Sequence, residues 1–544
     1  MILRNPSYII AKIGHERLIL GTICFLAFVA YIFFPWATTR SDMIRFNSPD
    51  ETANYFFSSR IADVAGVAYP EPLNKLSKNI IHPRSTNVVD GKIIPTSFLG
   101  LPVIYGSVGI LFSKGVIPFL TPFISALAII VCYSCWRRFF SRFVSIISVF
   151  ILAIHPAVWY YSSRGLYHNI LFLDLVIFAW WGYLQMRDSK WSLEWFSFSI
   201  LMVIAALFVR SSEALWIIPI IIYAVYTDRR RWTLSHLVIS LSLIGGIGSL
   251  IILLFASVYN SPIPILYSSV PVASSIYSSL GVARLFLTSI LSPFGFDARE
   301  IIFNVFQYIL VLFIPLWVLA FFGYVYIKQS VSTLFPIIPK NYLRLATWIS
   351  VWLIFYYGSW SLSDTVGPQG LTVGISYVRY WLPIFVVWIP FVAMGLIYIW
   401  ENYLSRKQEW FLVLILFFVF WGFSEVYFEK TEGLVQIASR LSTYRATSRY
   451  VNNITGEQAI IVGDRSDKVF FPDRRVISPG NVSFFSYSDV MTTLPYLADS
   501  VPVYLYLLSS PNKNILLLLK ENQLILKNPA PLPDGAWLYP VLRL

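Results

Sequence analysis

Apolar runs of bilayer length recur along this chain. They fall at about 18–36, 116–136, 143–160, 170–186, 193–209, 213–227, 234–258, 301–326, 343–359, 379–399 and 410–428. A helix needs about 20 apolar residues to cross a hydrocarbon core of about 30 Å. In lipid its backbone groups must be satisfied internally. The pattern therefore predicts an all-α polytopic membrane protein with about eleven transmembrane helices. Composition agrees: 57% of residues are hydrophobic and 13% charged, where a soluble domain carries about 25% charged residues. The first run follows Lys12 and Arg17 but lacks a small-residue cleavage site, so it reads as a retained helix and not a signal peptide.

The formal charge is +13. In a soluble chain that would suggest nucleic acid. Here the excess sits in short loops between spans, where it reports topology and favours anionic membrane lipids. The basic loops are Arg137-Arg138 with Arg142, Arg187 with Lys190, Arg229-Arg230-Arg231, Lys328 with Lys340 and Arg344, and Arg406-Lys407. They share one side only if the segment 95–112 does not cross. That segment is broken by Gly100, Pro102, Gly106 and Gly109, and it reads as interfacial. The amino terminus is then cytoplasmic and the carboxyl terminus extracytoplasmic. The outer face carries the loop 37–94, the turn 162–169, the loop 259–300 and the loop 360–378. Within 259–300, punctuated by Pro262, Pro264 and Pro293, the run 282–291 is apolar enough to lie in the interface. Cys132 and Cys135 have a redox spacing but lie in an apolar span. With Cys24 they read as buried small hydrophobes.

Polar residues return after 432. The predicted division is a transmembrane domain over 1–432 and a small extracytoplasmic α/β domain over 433–544. Short strands are expected at 459–462, 501–508 and 514–519. Gly463-Asp464 reads as a strand-end turn.

The polar clusters between the spans are the candidates for chemistry. Asn47-Ser48-Pro49-Asp50-Glu51 opens the first outer loop. Its ordinary reading is a helix start, with a Ser cap, Pro at the first position and acids in the first turn. Asp50 and Glu51 are also a carboxylate pair that can take a proton from an incoming hydroxyl or hold a divalent cation. Tyr55, one turn on, lies on the same predicted helix. Downstream come His82, Arg84 and Lys92. The two cations can meet a lipid phosphate or simply snorkel as interfacial anchors. Asp90-Gly91 is a turn. The turn after the 143–160 run holds Arg164, Tyr167, His168 and Asn169, with Asp174 one turn into the next span. Arg210 and Glu213 can pair with each other three residues apart. Arg379-Tyr380 stands at the mouth of a late span.

Several cations and two carboxylates on one membrane face ask for an anionic amphiphile. A sugar-bearing prenyl phosphate fits, its phosphate on the arginines and its anomeric carbon toward Asp50. At this point the sequence resembles the polyprenyl-phosphate-dependent glycosyltransferases of the GT-C superfamily, in the protein-mannosyltransferase-like and aminoarabinose-transferase-like branch. Pro49-Asp50-Glu51 and Arg379-Tyr380-Trp381-Leu382-Pro383 carry the resemblance. The stretch from Asp90-Gly91-Lys92 to Gly100-Leu101-Pro102 supports it. The resemblance implies an inverting transferase in which Asp50 activates the acceptor, and Arg84, Lys92, Arg164 and Arg379 hold the leaving lipid phosphate. Tyr55, His82, Tyr167, His168, Asn169, Arg210 and Tyr380 are the remaining substrate-binding candidates. Distant relatives use a divalent metal, so Mg or Mn stays open as a cofactor. The acceptor is a lipid, a glycan or a protein, and the setting is the plasma membrane of a bacterium or archaeon. The chain lacks the long soluble insert of eukaryotic protein mannosyltransferases and the Trp-Trp-Asp signature of oligosaccharyltransferases. A transporter or flippase for lipid-linked sugars is the alternative; it would need polar residues spread through the spans. A scaffold is the third reading.

Overall fold

All eleven apolar runs are helical in the computed structural model. It describes residues 16–40, 43–96, 98–188, 192–261, 295–329, 340–360, 371–404, 407–479 and 486–544. The expected interfacial run at 282–291, its flanking prolines, Lys12, Lys190, Arg406 and the side chains of Lys328 and Lys340 lie outside the described residues.

Among the described residues eight helices are long and apolar enough to cross a bilayer, fewer than the eleven expected. Three runs account for the difference. The run at 143–160 breaks into Arg142–Ile154 and Pro156–Ser163, bent by 53°, and makes a ninth span if taken as one. His155, the residue before Pro156, is extended at ψ 122°, because proline's ring disfavours the α region for its predecessor. The run at 213–227 is a short helical segment, Ser211–Thr227. Lys340–Gly358 has 19 residues but opens on Lys340, Asn341 and Arg344, so it is less apolar than the rest. Gly100–Leu111, inside the segment expected to be interfacial, is a helix of 12 residues. At 1.5 Å per residue it reaches about 18 Å, short of a full crossing.

The chain divides into two compact units. The first takes in the described residues up to 34, 121–248 and 295–436 and is helical. Its central element is Leu382–Asn402, with 78% of its most apolar stretch buried. Ile314–Gln329 crosses it with the backbones nearly touching. A Cβ on Gly323 would stand 2.0 Å from the Phe391 carbonyl oxygen, and one on Gly395 would stand 1.8 Å from that of Leu319. Only glycine permits this approach, the usual device of helix pairs in membranes. Phe313 packs edge-on against Phe385 at 4.7 Å beside this crossing.

The second unit takes in 35–120, the described part of 249–271, and 437–544. It contains all the strands described. In the first loop β1 (Tyr69–Pro70), β2 (Thr86–Val89) and β3 (Lys92–Pro95) form an antiparallel sheet in the order β1-β3-β2. The β2–β3 turn is Asp90-Gly91, with φ of +51° and +74°, as a two-residue hairpin of this twist demands. The carboxyl-terminal region adds β4 (Ile460–Val462), β5 (Arg475–Ile477), β6 (Val503–Leu507), β7 (Leu524–Leu526), β8 (Ala530–Pro531) and β9 (Trp537–Arg543). Their order is β5-β4-β6-β9-β7, with β8 beside β9. β4 runs parallel to β5 and β6, while β9 is antiparallel to β6, β7 and β8.

Alternation along the strands sorts the core into two faces. Ile460, Val462, Val503 and Leu505 pack with Val490, Leu494 and Leu519. Ile461, Val476 and Tyr506 pack with Val451, Phe470 and Phe471. The expected strand at 514–519 is instead part of the helix Lys513–Glu521. Asn512 caps it, its side chain accepting the Ile515 N–H at 2.8 Å. Leucine is a good helix former, and Ile515 and Leu519, four apart, are the buried pair.

The first loop is built into this sheet. Ile80 and Ile81 belong to the first core face, His82 bridges in parallel to Ile477 of β5, and Phe56 meets Phe471 at 4.7 Å. Arg475 reaches Glu71 at 2.9 Å. The unit thus draws its residues from both sides of the expected boundary at 433.

Candidate active site

In the second unit the helix Pro49–Ala62 starts at the nominated carboxylates. Ser48 caps it, its Oγ accepting from the Asp50 N–H at 3.2 Å, and Pro49 occupies the first turn. The half-buried Asp50 accepts a hydrogen bond at 2.6 Å from the Ser85 Oγ through its Oδ1. Glu51 points inward and is buried. Ser85 has a left-handed φ of +58°. The segment that carries it is held from both sides. Arg84 on one side donates to Asp467 through its backbone N–H, Nε and Nη2, the last at 2.7 Å. On the other side the Pro83 carbonyl accepts from Thr86 Oγ1 at 2.6 Å and lies 2.9 Å from His82 Nδ1. Burial would push the Asp467 carboxyl up, but the Arg84 guanidinium outweighs it and holds the carboxyl below the usual range. Burial lowers the His82 imidazole, keeping it neutral near pH 7.

In the first unit three arginines alternate with two tyrosines. The Arg164 guanidinium lies 5.1 Å from the Tyr167 ring centre, and Arg379 lies 4.8 Å from the same ring. Arg379 is also 5.3 Å from the Tyr380 ring, which Arg210 approaches at 5.2 Å. Arg164 and Arg210 are buried. Arg164 donates to the Tyr160 hydroxyl at 2.7 Å and stands 3.9 Å from Glu432. Arg210 pairs with Glu213 at 2.8 Å and donates to the Tyr357 hydroxyl at 2.9 Å. Tyr357 stacks on Tyr380 at 4.6 Å. Gly374 closes the row near Arg164, since a Cβ there would meet the Glu432 side chain at 2.6 Å and the Tyr160 hydroxyl at 2.7 Å. Each cation over a ring contributes about 0.5–2 kcal/mol, and the planar guanidinium suits bidentate recognition of phosphate or carboxylate.

The family model for dolichyl-phosphate-mannose-protein mannosyltransferase matches residues 110–258. That stretch contains Arg164, Tyr167, His168, Asn169 and Arg210, but neither Asp50 nor Arg379. Solved structures of the Archaeoglobus fulgidus oligosaccharyltransferase, a GT-C enzyme, share the fold over most of the chain. The apo form has a TM-score of 0.50 at 13% identity, covering 90% of this chain and 69% of that one. The complex with an inhibitory peptide and a dolichol-phosphate has a TM-score of 0.53 at 12% identity, with the same coverage. The fold is that of the GT-C glycosyltransferases. A third structure, the complex with Zn and sulfate, gives 0.53 at 14% identity over 90% and 67% of the two chains. No curated protein sequence matches this chain. At these identities the structural likeness carries the GT-C fold alone. None of the matches named here is a transporter.

On the GT-C frame, the nominated Arg164, Tyr167, Arg379, Tyr380 and Arg210 come together from three separate stretches of sequence. His168 and Asn169 follow Tyr167 as the first, buried residues of His168–Asp188. Asp174 accepts from Ser125 at 2.6 Å in the interior of the same helix bundle. The other nominees belong to the second unit. Arg84 is engaged with Asp467, and His82 is buried with local hydrogen bonds. Lys92 is exposed at the start of β3, and the half-buried Tyr55 packs its ring on Phe46 at 5.2 Å. Sequence reading placed Ser85 and Tyr160 in candidate clusters without singling them out, and missed Asp467, Tyr357, Glu429 and Glu432. The acidic pair Glu429 and Glu432, just past the last span, was a usable signal: Glu429 accepts from Thr372 at 2.7 Å and from the Glu432 N–H at 2.6 Å, which orders that turn. Cys132 and Cys135 are buried free thiols. Among the described residues no three of His, Cys, Asp and Glu come together as a metal set.

Proposed function

We propose that this protein moves a sugar from a polyprenyl-phosphate donor to an acceptor on the extracytoplasmic face of a membrane, with inversion at the sugar. The observation that carries the reading is the row Arg164–Tyr167–Arg379–Tyr380–Arg210, found in a chain with a GT-C fold. A phosphate monoester or diester with an apolar tail is the ligand such a row in a membrane bundle suits. The family description and the dolichol-phosphate of the archaeal complex support the same donor class.

In this reading the acceptor's hydroxyl or amine attacks the anomeric carbon. The bond from acceptor to C1 forms as the bond from C1 to the phosphate oxygen breaks. The polyprenyl phosphate leaves with that electron pair, and Arg164 and Arg379 neutralise its charge. On the family resemblance alone, the acceptor's proton is assigned to Asp50. A polyprenyl phosphate carrying radiolabelled mannose, incubated with the purified protein and fractions of lipid, glycan and peptide acceptors, tests this. The expected result is acceptor-dependent release of polyprenyl phosphate, lost in Asp50→Asn. Hydrolysis or transfer unaffected by Asp50→Asn would remove Asp50 from the mechanism.

A further inference from the structure

Asp50 is tied to a second segment of its own unit. Its Oδ1 receives the Ser85 hydroxyl at 2.6 Å, and Ser85 has a left-handed backbone, φ +58°. The residues around Ser85 are held in turn. Arg84 is tied through three of its N–H groups to Asp467, which is fully buried. His82, three residues before Ser85, is bridged to β5. Asp467 and Lys468 lie on the short helix Ser466–Phe470 of the carboxyl-terminal region, which packs against the helix that bears Asp50 and Glu51.

We infer that Ser85 is a positioning residue for the proton-accepting carboxylate, and that the carboxyl-terminal region sets it in place through Asp467 and Arg84. This rests on the reading of Asp50 as the group that takes the acceptor's proton. A fixed donor on Oδ1 holds the carboxylate in one orientation. The arrangement makes the region after residue 437 part of the catalytic apparatus in a specific sense: it locks the serine, and the serine locks the acid.

Two substitutions separate the hydroxyl from the backbone. Glycine adopts a left-handed φ without strain, so Ser85→Gly removes the donor and leaves the turn. Asparagine also tolerates that region and restores an N–H donor. Steady-state transfer, with thermal melting as a check on folding, is measured for wild type, Ser85→Gly, Ser85→Asn and Asp50→Asn. Ser85→Gly should melt like wild type and lose kcat by about tenfold with little change in donor KM. Ser85→Asn should recover most of that kcat. Wild-type kcat in Ser85→Gly, or an Asn variant no better than the Gly variant, overturns the inference. Full transfer by Asp50→Asn would instead defeat the underlying assignment of the acid, whatever Ser85 does.

Discussion

Arg379 stands in the middle of the arginine–tyrosine row, with a ring on either side. Removing it takes away a cation proposed to meet the lipid phosphate and leaves two tyrosine faces without it. Arg379→Ala should weaken binding of a polyprenyl phosphate by tenfold or more, since a charged hydrogen bond contributes about 1.5–3 kcal/mol. Arg379→Lys should recover only part of that, because an ammonium cannot stack or bind bidentately as a guanidinium does. Titration of the lipid against each variant in nanodiscs reads this out; wild-type affinity in Arg379→Ala would exclude the row as the phosphate site. The five members of the row were each visible in the sequence as polar residues at span ends. Their partners were not. Tyr357 and Glu432 sit in separate stretches more than 50 residues from Arg210 and Arg164 respectively, and only helix packing decides such meetings.

Elements that look independent along the chain are joined by single buried ion pairs. Arg84 and Asp467 belong to segments far apart in sequence, and their side chains are 10% and 0% exposed. Breaking a buried pair from one side leaves a desolvated charge and costs about 3–5 kcal/mol. Asp467→Asn should therefore lower the denaturant midpoint of the second unit strongly. The pH dependence follows from the same pair. The Asp467 carboxyl titrates below its unfolded value of about 3.9, so its contribution is fully present above that value and fades as pH falls through the lower folded one. Acid unfolding of wild type should set in below about pH 4, and the Asp467→Asn variant should lack that component. An equal midpoint in both proteins would show that the pair does not hold the segments together. At this scale the cap at Ser48 and the Asp90-Gly91 turn were legible, because each is local chemistry. The helix over 513–521 was not: a leucine-rich run fits a buried strand or a helix, and the Asn512 cap that decides between them lies outside the run.

For the whole molecule, eleven apolar runs announced a membrane bundle, and among the described residues each of those runs is helical. Their number as spans depends on a proline bend and on helix lengths that periodicity does not fix. The association of the first loop with the carboxyl-terminal sheet was invisible in sequence, since it rests on contacts such as His82 with Ile477 and Phe56 with Phe471. The central proposal is that this bundle holds a sugar-bearing prenyl phosphate. Its most direct test is mass spectrometry of lipids that co-purify with wild type and with Asp50→Asn. A prenyl phosphate is expected in both, with the glycosylated form accumulating on Asp50→Asn because transfer is blocked there. No prenyl lipid in either sample, and no binding when one is supplied, would contradict it.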